Sequence, residues 1–163
     1  MLEPIIGFSI FFAIISLVIY TGNKTRQKQY DDIKTKLEGR TNLFIEQTKC
    51  STMTWGLKNN NYLFNKCDIY LTDNSLIILG HTKNSIIKQL STPIILTDKI
   101  SDYQSDFPYA YVKKVKSFDY QNDIVKILFG EKGITKTEVT IKLTKLTENE
   151  KKSLIELAKK NCW

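Results

Sequence analysis

The chain begins with a long apolar stretch. Residues 5–20 read IIGFSIFFAIISLVIY, contain no charged side chain, and carry serine hydroxyls at Ser9 and Ser16. A helix accommodates such hydroxyls because they donate back to its own carbonyl groups. Extended by one residue at each end, the stretch has about 18 residues and a helical length of about 27 Å, near the minimum for crossing a bilayer. This pattern predicts a transmembrane anchor over residues 1–22.

The charges that flank this stretch predict its orientation. Glu3 precedes it, whereas Lys24, Arg26 and Lys28 follow it. Because basic residues stay on the cytoplasmic side of a span, we expect a single-pass protein of the inner or cell membrane, with its N-terminus outside and the rest in the cytoplasm. A cleaved signal peptide would need a basic residue before the stretch and a small-residue cleavage site after Tyr20. A buried core helix is disfavoured by the basic, glycine-containing break that follows.

Residues 23–40 predict a polar helical linker. Tyr30, Ile33 and Leu37 are spaced by three and four residues, which places them on one helical face, and Gly39 is a suitable stop. One interpretation is a basic surface for anionic lipid headgroups, to which each cation near a membrane contributes about 1 kcal/mol. The other is a solvated helix that merely follows the topology rule, and three apolar positions are too few to indicate a coiled coil. The lipid hypothesis assigns anion binding to the six cations of the linker: Lys24, Arg26, Lys28, Lys34, Lys36 and Arg40.

Beyond the linker, the period of the apolar positions changes from that of a helix to that of a strand. Residues 67–80 (CDIYLTDNSLIILG) contain two apolar runs around a Thr-Asp-Asn-Ser turn, which predicts a hairpin. The polar segment Asp98–Pro108 predicts a surface loop. Alternating apolar and polar residues predict further strands, each with one face on a core, over residues 111–120, 123–129 and 137–144.

The chain ends in a predicted amphipathic helix. Thr147 and Glu150 form a T-x-x-E capping box, and Leu154 and Leu157 lie on the apolar face that follows it. An antiparallel sheet that curves into a partly open barrel needs a cover, which this helix can supply. The sequence therefore predicts an α+β domain over residues 41–163.

The segment Asp68–Gly80 (DIYLTDNSLIILG) resembles the x-L-T-x-x-x-L-I hairpin common in GRAM and bacterial pleckstrin-homology (PH-like) domains. With the C-terminal helix, the resemblance covers about residues 42–163. It implies an antiparallel, seven-stranded bent β-barrel capped by that helix, and a non-enzymatic role in binding phospholipid headgroups or proteins. Phosphoinositide-binding members carry a K-x(n)-[KR]-x-R pattern across the first hairpin. The corresponding stretch here has Lys49, Lys58 and Lys66 without arginine, so phosphoinositide specificity is not expected.

The net charge of +7 favours anionic partners. Lys113, Lys114 and Lys116 form the densest charge cluster of the predicted domain. If their strand lines an open binding face, these lysines can hold phosphate headgroups. Alternatively, they form a soluble lysine ladder that protects a sheet edge. Nucleic acid is a disfavoured partner, because no arginine accompanies the aromatic side chains that precede this cluster.

The sequence offers no recognisable catalytic, metal or cofactor site. His81 is the one histidine of the chain; we expect it in a loop, and a zinc site would need further ligands at recognised spacing. Cys50, Cys67 and Cys162 lack C-x-x-C spacing, and we expect them to be reduced thiols. No glycine-rich phosphate-binding motif is present, and we expect Trp55 and Trp163 to be core anchors. The chain is therefore predicted not to be an enzyme and to need no cofactor.

Together these patterns predict a membrane-tethered, non-catalytic interaction module on the cytoplasmic face of a membrane. It would bind a protein partner or anionic lipid headgroups, and weak contacts would suffice because tethering raises the effective concentration. The alternative is an accessory structural subunit of a larger membrane complex, which exposed apolar residues on the outer sheet face would favour.

Overall fold

A computed structural model of the 163-residue chain describes residues 3–56, 62–82, 88–121, 123–133 and 136–163. These residues form three helices and a nine-stranded mixed sheet that curves into a nearly closed barrel. In chain order the elements are α1 (Glu3–Leu37), β1 (Leu43–Gly56), β2 (Lys66–Leu71), β3 (Ser75–Thr82), β4 (Gln89–Leu90), β5 (Ile94–Thr97), α2 (Ile100–Asp106), β6 (Tyr111–Lys113), β7 (Val115–Gln121), β8 (Ile124–Gly130), β9 (Thr137–Thr144) and α3 (Glu148–Lys160).

The N-terminal apolar stretch forms the first half of α1. Phe8, Leu17, Val18 and Tyr20 are 62–66% exposed there. Within the described part of the chain, however, no helix combines the length and the apolarity that a membrane crossing requires. The predicted transmembrane anchor, and with it the single-pass fold class, is therefore wrong.

The second half of α1 packs against the sheet. Tyr30, Ile33 and Leu37 are at most 4% exposed and contact a cluster on the outer face of the barrel. The Tyr30 hydroxyl donates to the carbonyl oxygen of Gly80 at 2.6 Å, with the carbonyl oxygen of Ser91 at 3.1 Å. Burial raises the pKa of this hydroxyl, so it stays protonated. The apolar stripe seen in the sequence is thus a packing surface for the chain's own sheet.

The strands follow the order β6-β5-β3-β2-β1-β9-β8-β7, with β4 paired to β3 off this path. Neighbouring strands are antiparallel except β5 and β6, which are parallel because α2 lies between them in the chain. The expected purely antiparallel, seven-stranded barrel is therefore wrong in both respects. The predicted hairpin over residues 67–80 is confirmed as β2 and β3, and the strands predicted over residues 123–129 and 137–144 are confirmed as β8 and β9. The single strand predicted over residues 111–120 is wrong, because the chain divides there at Lys114 into β6 and β7, which have different partners.

A bulge in β1 turns the sheet from one side of the barrel to the other. Residues 43–45 and 48–49 pair with β2, and residues 49–56 pair with β9, so Lys49 pairs with both strands. Gln47 has φ = 49°, in the left-handed region, and its backbone N–H donates to Oδ1 of Asp68 at 2.9 Å. The bent strand therefore belongs to both sides of the barrel and closes it at this corner.

Two apolar cores share the strands β2, β3 and β5. The barrel interior contains Ile69, Ile78 and Ile141, whereas the outer face buries Ile77 and Ile95 beneath α1 and α2. Strands covered on both faces are continuously apolar, which accounts for the runs LIIL in β3 and IIL in β5. The barrel wall is thus a buried layer on this side.

Helix α3, the last element of the chain, covers the barrel interior. The predicted capping box is present, since Thr147 Oγ1 accepts from the backbone N–H of Glu150 and the Glu150 carboxylate accepts from that of Thr147. Leu154 and Leu157 then pack into the barrel core. The predicted C-terminal helix is therefore confirmed.

Three local predictions are wrong. The segment expected to be a surface loop, Asp98–Pro108, contains α2, and its Tyr103 and Phe107 are buried in the outer core. His81 lies in β3 and is 4% exposed, not in a loop. Trp55, expected in the core, is 66% exposed on β1. In each case tertiary neighbours, and not the local pattern, decide burial.

Candidate binding cleft at the barrel seam

The barrel stays open between β6 and β7. These strands follow one another in the chain, joined by Lys114, yet they lie at opposite ends of the strand order. Among the described strands, β6 pairs with β5 and β7 pairs with β8, so each presents one edge toward the opening. The edge of an unpaired strand is where a further strand can add to a sheet.

A cleft of about 670 Å³ lies at this seam. Its aromatic wall is formed by Tyr62 and Tyr111, whose ring centroids are 5.1 Å apart. Burial raises the pKa of the Tyr62 hydroxyl to about 12, so it is neutral at physiological pH. The remaining lining comes from α2, the β6–β7 corner and the β8–β9 connection: Ile100, Gln104, Val112, Lys113, Lys114, Val115, Lys116, Gly130, Glu131, Lys136 and Thr137.

Exposed lysines dominate the charge of the cleft. Lys114 forms an ion pair of 3.0 Å with Asp98, and Lys136 pairs with Glu131. Among the described carboxylates, none lies within ion-pair distance of Lys113. The Lys136 ammonium, with smaller contributions from other cleft lysines, holds the pKa of the Glu131 carboxyl below its usual value. The cleft is thus a positive environment that stabilises carboxylates.

The lysines extend beyond the cleft toward β1. Glu138 lies on β9 and accepts from Lys116 at 3.4 Å, with the ammonium of Lys132 at 3.7 Å. Lys132 in turn lies 5.8 Å from the ring centroid of Trp55. The described lysines of this surface outnumber the carboxylates between them, namely Asp98, Glu131 and Glu138. The surface therefore carries a net positive charge with carboxylates interspersed among its lysines.

The structure brings together one of the two sets of cations that the sequence singled out. Lys113, Lys114 and Lys116 all line the cleft. Lys24, Arg26, Lys28, Lys34, Lys36 and Arg40 lie on or just after α1, and none of them lines the cleft. Lys36 binds Asp32 at 2.9 Å and the backbone carbonyl of Asp106 at 2.9 Å, which anchors α1 to α2. Anion binding by either set of cations stays a prediction.

Sequence reasoning missed the residues that complete the cleft. Tyr62, Glu131 and Lys136 lie far from the lysine cluster in the sequence, and the barrel brings them to it. No local signal pairs them, because the juxtaposition depends on how β8 and β9 return past β7. The aromatic character of the segment before Lys113 was visible, and its Tyr111 does line the cleft.

The histidine and the buried cysteines, which are the other side chains able to take part in acid–base, redox or metal chemistry, lie outside the cleft. Desolvation lowers the pKa of the buried His81 imidazole. Cys50 and Cys67 are buried free thiols, and the pKa of Cys67 is raised well above its usual value, chiefly by its hydrogen bond with Cys50. Within the described ranges, no group of three histidine, cysteine or carboxylate side chains is arranged to hold a metal ion.

Comparison with known proteins gives no relative: no protein-family model, curated protein or solved structure matches this chain. The resemblance of the β2–β3 hairpin to GRAM and PH-like domains therefore stays a prediction.

Proposed function

We propose that this protein is a non-catalytic interaction module whose seam cleft binds an acidic segment of a partner protein. The observation that supports this is the convergence of Lys113, Lys114, Lys116 and Lys136 on an opening between two strand edges. The lysines attract carboxylates, and the cleft's tyrosine wall offers apolar contact.

The charge distribution favours a peptide over a phosphorylated headgroup. Asp98, Glu131 and Glu138 are interspersed among the lysines, so a compact multiply charged phosphate would be repelled as well as attracted. An extended peptide can space its carboxylates between these positions. Its backbone can also pair with the edges of β6 or β7, as in strand addition to a sheet.

Charge reversal tests this proposal. The variant with Lys113→Glu and Lys114→Glu should bind a synthetic peptide of alternating Glu and Gly at least about tenfold more weakly at low ionic strength. Because the attraction is electrostatic, added salt should weaken wild-type binding as well. The matched control is Lys152→Glu with Lys159→Glu, which makes the same charge change on the exposed face of α3, outside the cleft. Calorimetric titration measures both.

The milder variant Lys113→Gln with Lys114→Gln guards against loss of folding, since Lys114 pairs with Asp98. Equal weakening in the cleft and control variants would contradict the proposal, because net charge alone would then explain binding. Vesicles of phosphatidylcholine with phosphatidylglycerol provide the second arm. Cleft-dependent binding to these vesicles, without binding to the peptide, would replace the protein partner by lipid headgroups.

A second function, an accessory subunit of a larger complex, is favoured by a different observation. The described side chains of α1 between Phe8 and Tyr20 expose a run of large apolar groups. Soluble proteins rarely leave so large an apolar patch uncovered, so a neighbouring chain would cover it. The test replaces Leu17 and Val18 by serine. A stoichiometric partner that co-purifies with wild type and the cleft variant, but not with this one, would support a subunit role.

A further inference from the structure

The most exposed aromatic side chain of the described sheet lies beside the cleft. Trp55 is 66% exposed on the outer face of β1, and Met53, two residues earlier on the same face, is 58% exposed. The other tryptophan, Trp163, is partly buried and packs on the barrel core. Core packing therefore accounts for Trp163 and does not account for Trp55.

A chain of side chains connects Trp55 to the cleft. Trp55 lies directly opposite Glu138 in the β1–β9 register. Glu138 binds Lys116, which lines the cleft, and lies 3.7 Å from Lys132. Lys132 stands over the Trp55 ring at 5.8 Å. The indole and the cleft are thus two parts of one continuous surface that is apolar at one end and basic along its length.

The charge around the indole indicates the chemistry of its partner. Exposed tryptophans become energetic centres of protein interfaces when a partner desolvates them, and arginine or lysine at their edge selects acidic neighbours. A partner segment that places carboxylates in the seam cleft would carry its next side chains over Glu138 and Lys132. An apolar side chain at that point would find Trp55 and Met53.

We propose that Trp55 and Met53 form an apolar platform that binds an aromatic or large aliphatic side chain of the acidic partner segment. This inference rests on the proposed function of the seam cleft. It adds a specificity element, because charge alone does not distinguish one acidic segment from another, whereas a spaced apolar anchor does. The recognised class is then an acidic segment with one large apolar residue.

Selection from a library of short random displayed peptides tests the platform. Three forms of the full chain serve as bait: wild type, Trp55→Ser, and Lys113→Glu with Lys114→Glu. Wild type should enrich peptides that combine acidic residues with one aromatic or large aliphatic residue. Trp55→Ser should keep the acidic enrichment and lose the apolar one. The lysine variant should lose the acidic enrichment.

The outcomes separate the two proposals. Acidic enrichment that is equal with and without Trp55, with no apolar residue selected by either form, overturns the platform and leaves the cleft intact. Absence of acidic enrichment with wild type overturns the cleft proposal and the platform with it. Phe44→Ser is the control, because Phe44 is 46% exposed at the other end of β1 and should leave both enrichments unchanged.

Fluorescence gives an independent readout. The chain has two tryptophans, so Trp163→Phe leaves Trp55 as the single emitting indole. Addition of a selected peptide should shift its emission to shorter wavelength, because the bound apolar side chain removes water from the ring. Binding by calorimetry with an unchanged emission spectrum would overturn the platform. Circular dichroism checks that Trp163→Phe keeps the native fold.

Discussion

At the scale of single residues, buried polar groups connect elements that are distant in the sequence. Ser75 and Tyr103 are buried, and the Ser75 hydroxyl donates to the Tyr103 oxygen at 2.9 Å. Tyr103 in turn donates to Oδ1 of Asn74 at 2.9 Å. This network joins the β2–β3 turn to α2. The polar residues of the hairpin turn therefore stabilise the fold, because the Ser75 and Tyr103 hydroxyl donors both find acceptors in this network.

Tyr109 and Asp32, which are only partly buried, make a second connection between distant segments, and this one depends on pH. The Tyr109 hydroxyl donates to Oδ2 of Asp32. This bond, followed by the one from Lys36, lowers the pKa of Asp32 below its usual 3.8. A carboxyl whose pKa is lower in the folded state contributes stability above its unfolded pKa and loses it as pH falls through the folded value. The contact therefore weakens in acid, below about pH 3.8, and not near neutrality.

Replacement of Tyr109 by phenylalanine tests this connection. The pKa of Asp32 should rise toward its usual value and remain slightly low, because Lys36 stays 2.9 Å away. Carbon-detected NMR titration of the carboxyl groups measures it directly. Asp123, whose pKa is lowered mainly by Lys151, should be unaffected and serves as the internal control. An unchanged Asp32 titration would show that the hydroxyl does not stabilise the carboxylate.

At the scale of elements, α1 has two halves with different environments. Its second half supplies Tyr30, Ile33 and Leu37 to the outer core, while the side chains described in its first half are mostly exposed. Asn23 marks the point where contact begins, because its amide donates to the carbonyl of Lys88 at 2.7 Å and accepts from the N–H of Leu90 at 3.0 Å. A single helix thus begins away from the sheet and ends packed against its outer face.

A matched pair of isoleucines tests this division. Ile33 is fully buried and Ile14 is 56% exposed on the same helix. Ile33→Ala should reduce the free energy of unfolding by about 2–5 kcal/mol, because it leaves a cavity under the helix. Ile14→Ala should change it by less than about 0.5 kcal/mol. Chemical denaturation measures both, and equal effects would mean that α1 does not dock on the sheet as the structure shows.

At the scale of the whole molecule, the barrel has one closed corner and one open seam. The closed corner is the β1 bulge, where a single strand pairs first with β2 and then with β9. The open seam separates β6 from β7. A sheet whose end strands do not meet leaves two edges exposed, and here lysines stand at those edges. In the proposed function, the lysines that stand at these edges are also the ones that bind the partner.

Hydrogen exchange should reveal the seam. Strands β3 and β9 have partners on both sides, so their amides should exchange most slowly. The β7 amides that point toward the seam should exchange at least about tenfold faster than those of β9. Binding of an acidic peptide should slow the exchange of these β7 amides. Protection of β7 equal to that of β9 in the free protein would show that the seam is closed in solution.

Much of the fold was readable from local pattern. Alternation gave β8 and β9, the Thr-Asp-Asn-Ser turn gave the β2–β3 hairpin, and Thr147 with Glu150 gave the start of α3. These succeed because each depends on neighbours in the sequence. Part of the candidate site could be predicted from the sequence, where Lys113, Lys114 and Lys116 form a cluster. Tyr62 and Lys136 could not, because only the tertiary structure brings them to the cleft.

The sequence by itself determined the β2–β3 hairpin, the capped final helix and the basic character of the chain, because turn chemistry, capping and charge act over a few residues. The tertiary structure decided where α1 packs, that β5 and β6 run parallel, and that Trp55 faces water beside a lysine-lined cleft. Each of these depends on which distant segments pack together, and the free energy that stabilises this packing comes from burial of apolar surface across the whole barrel.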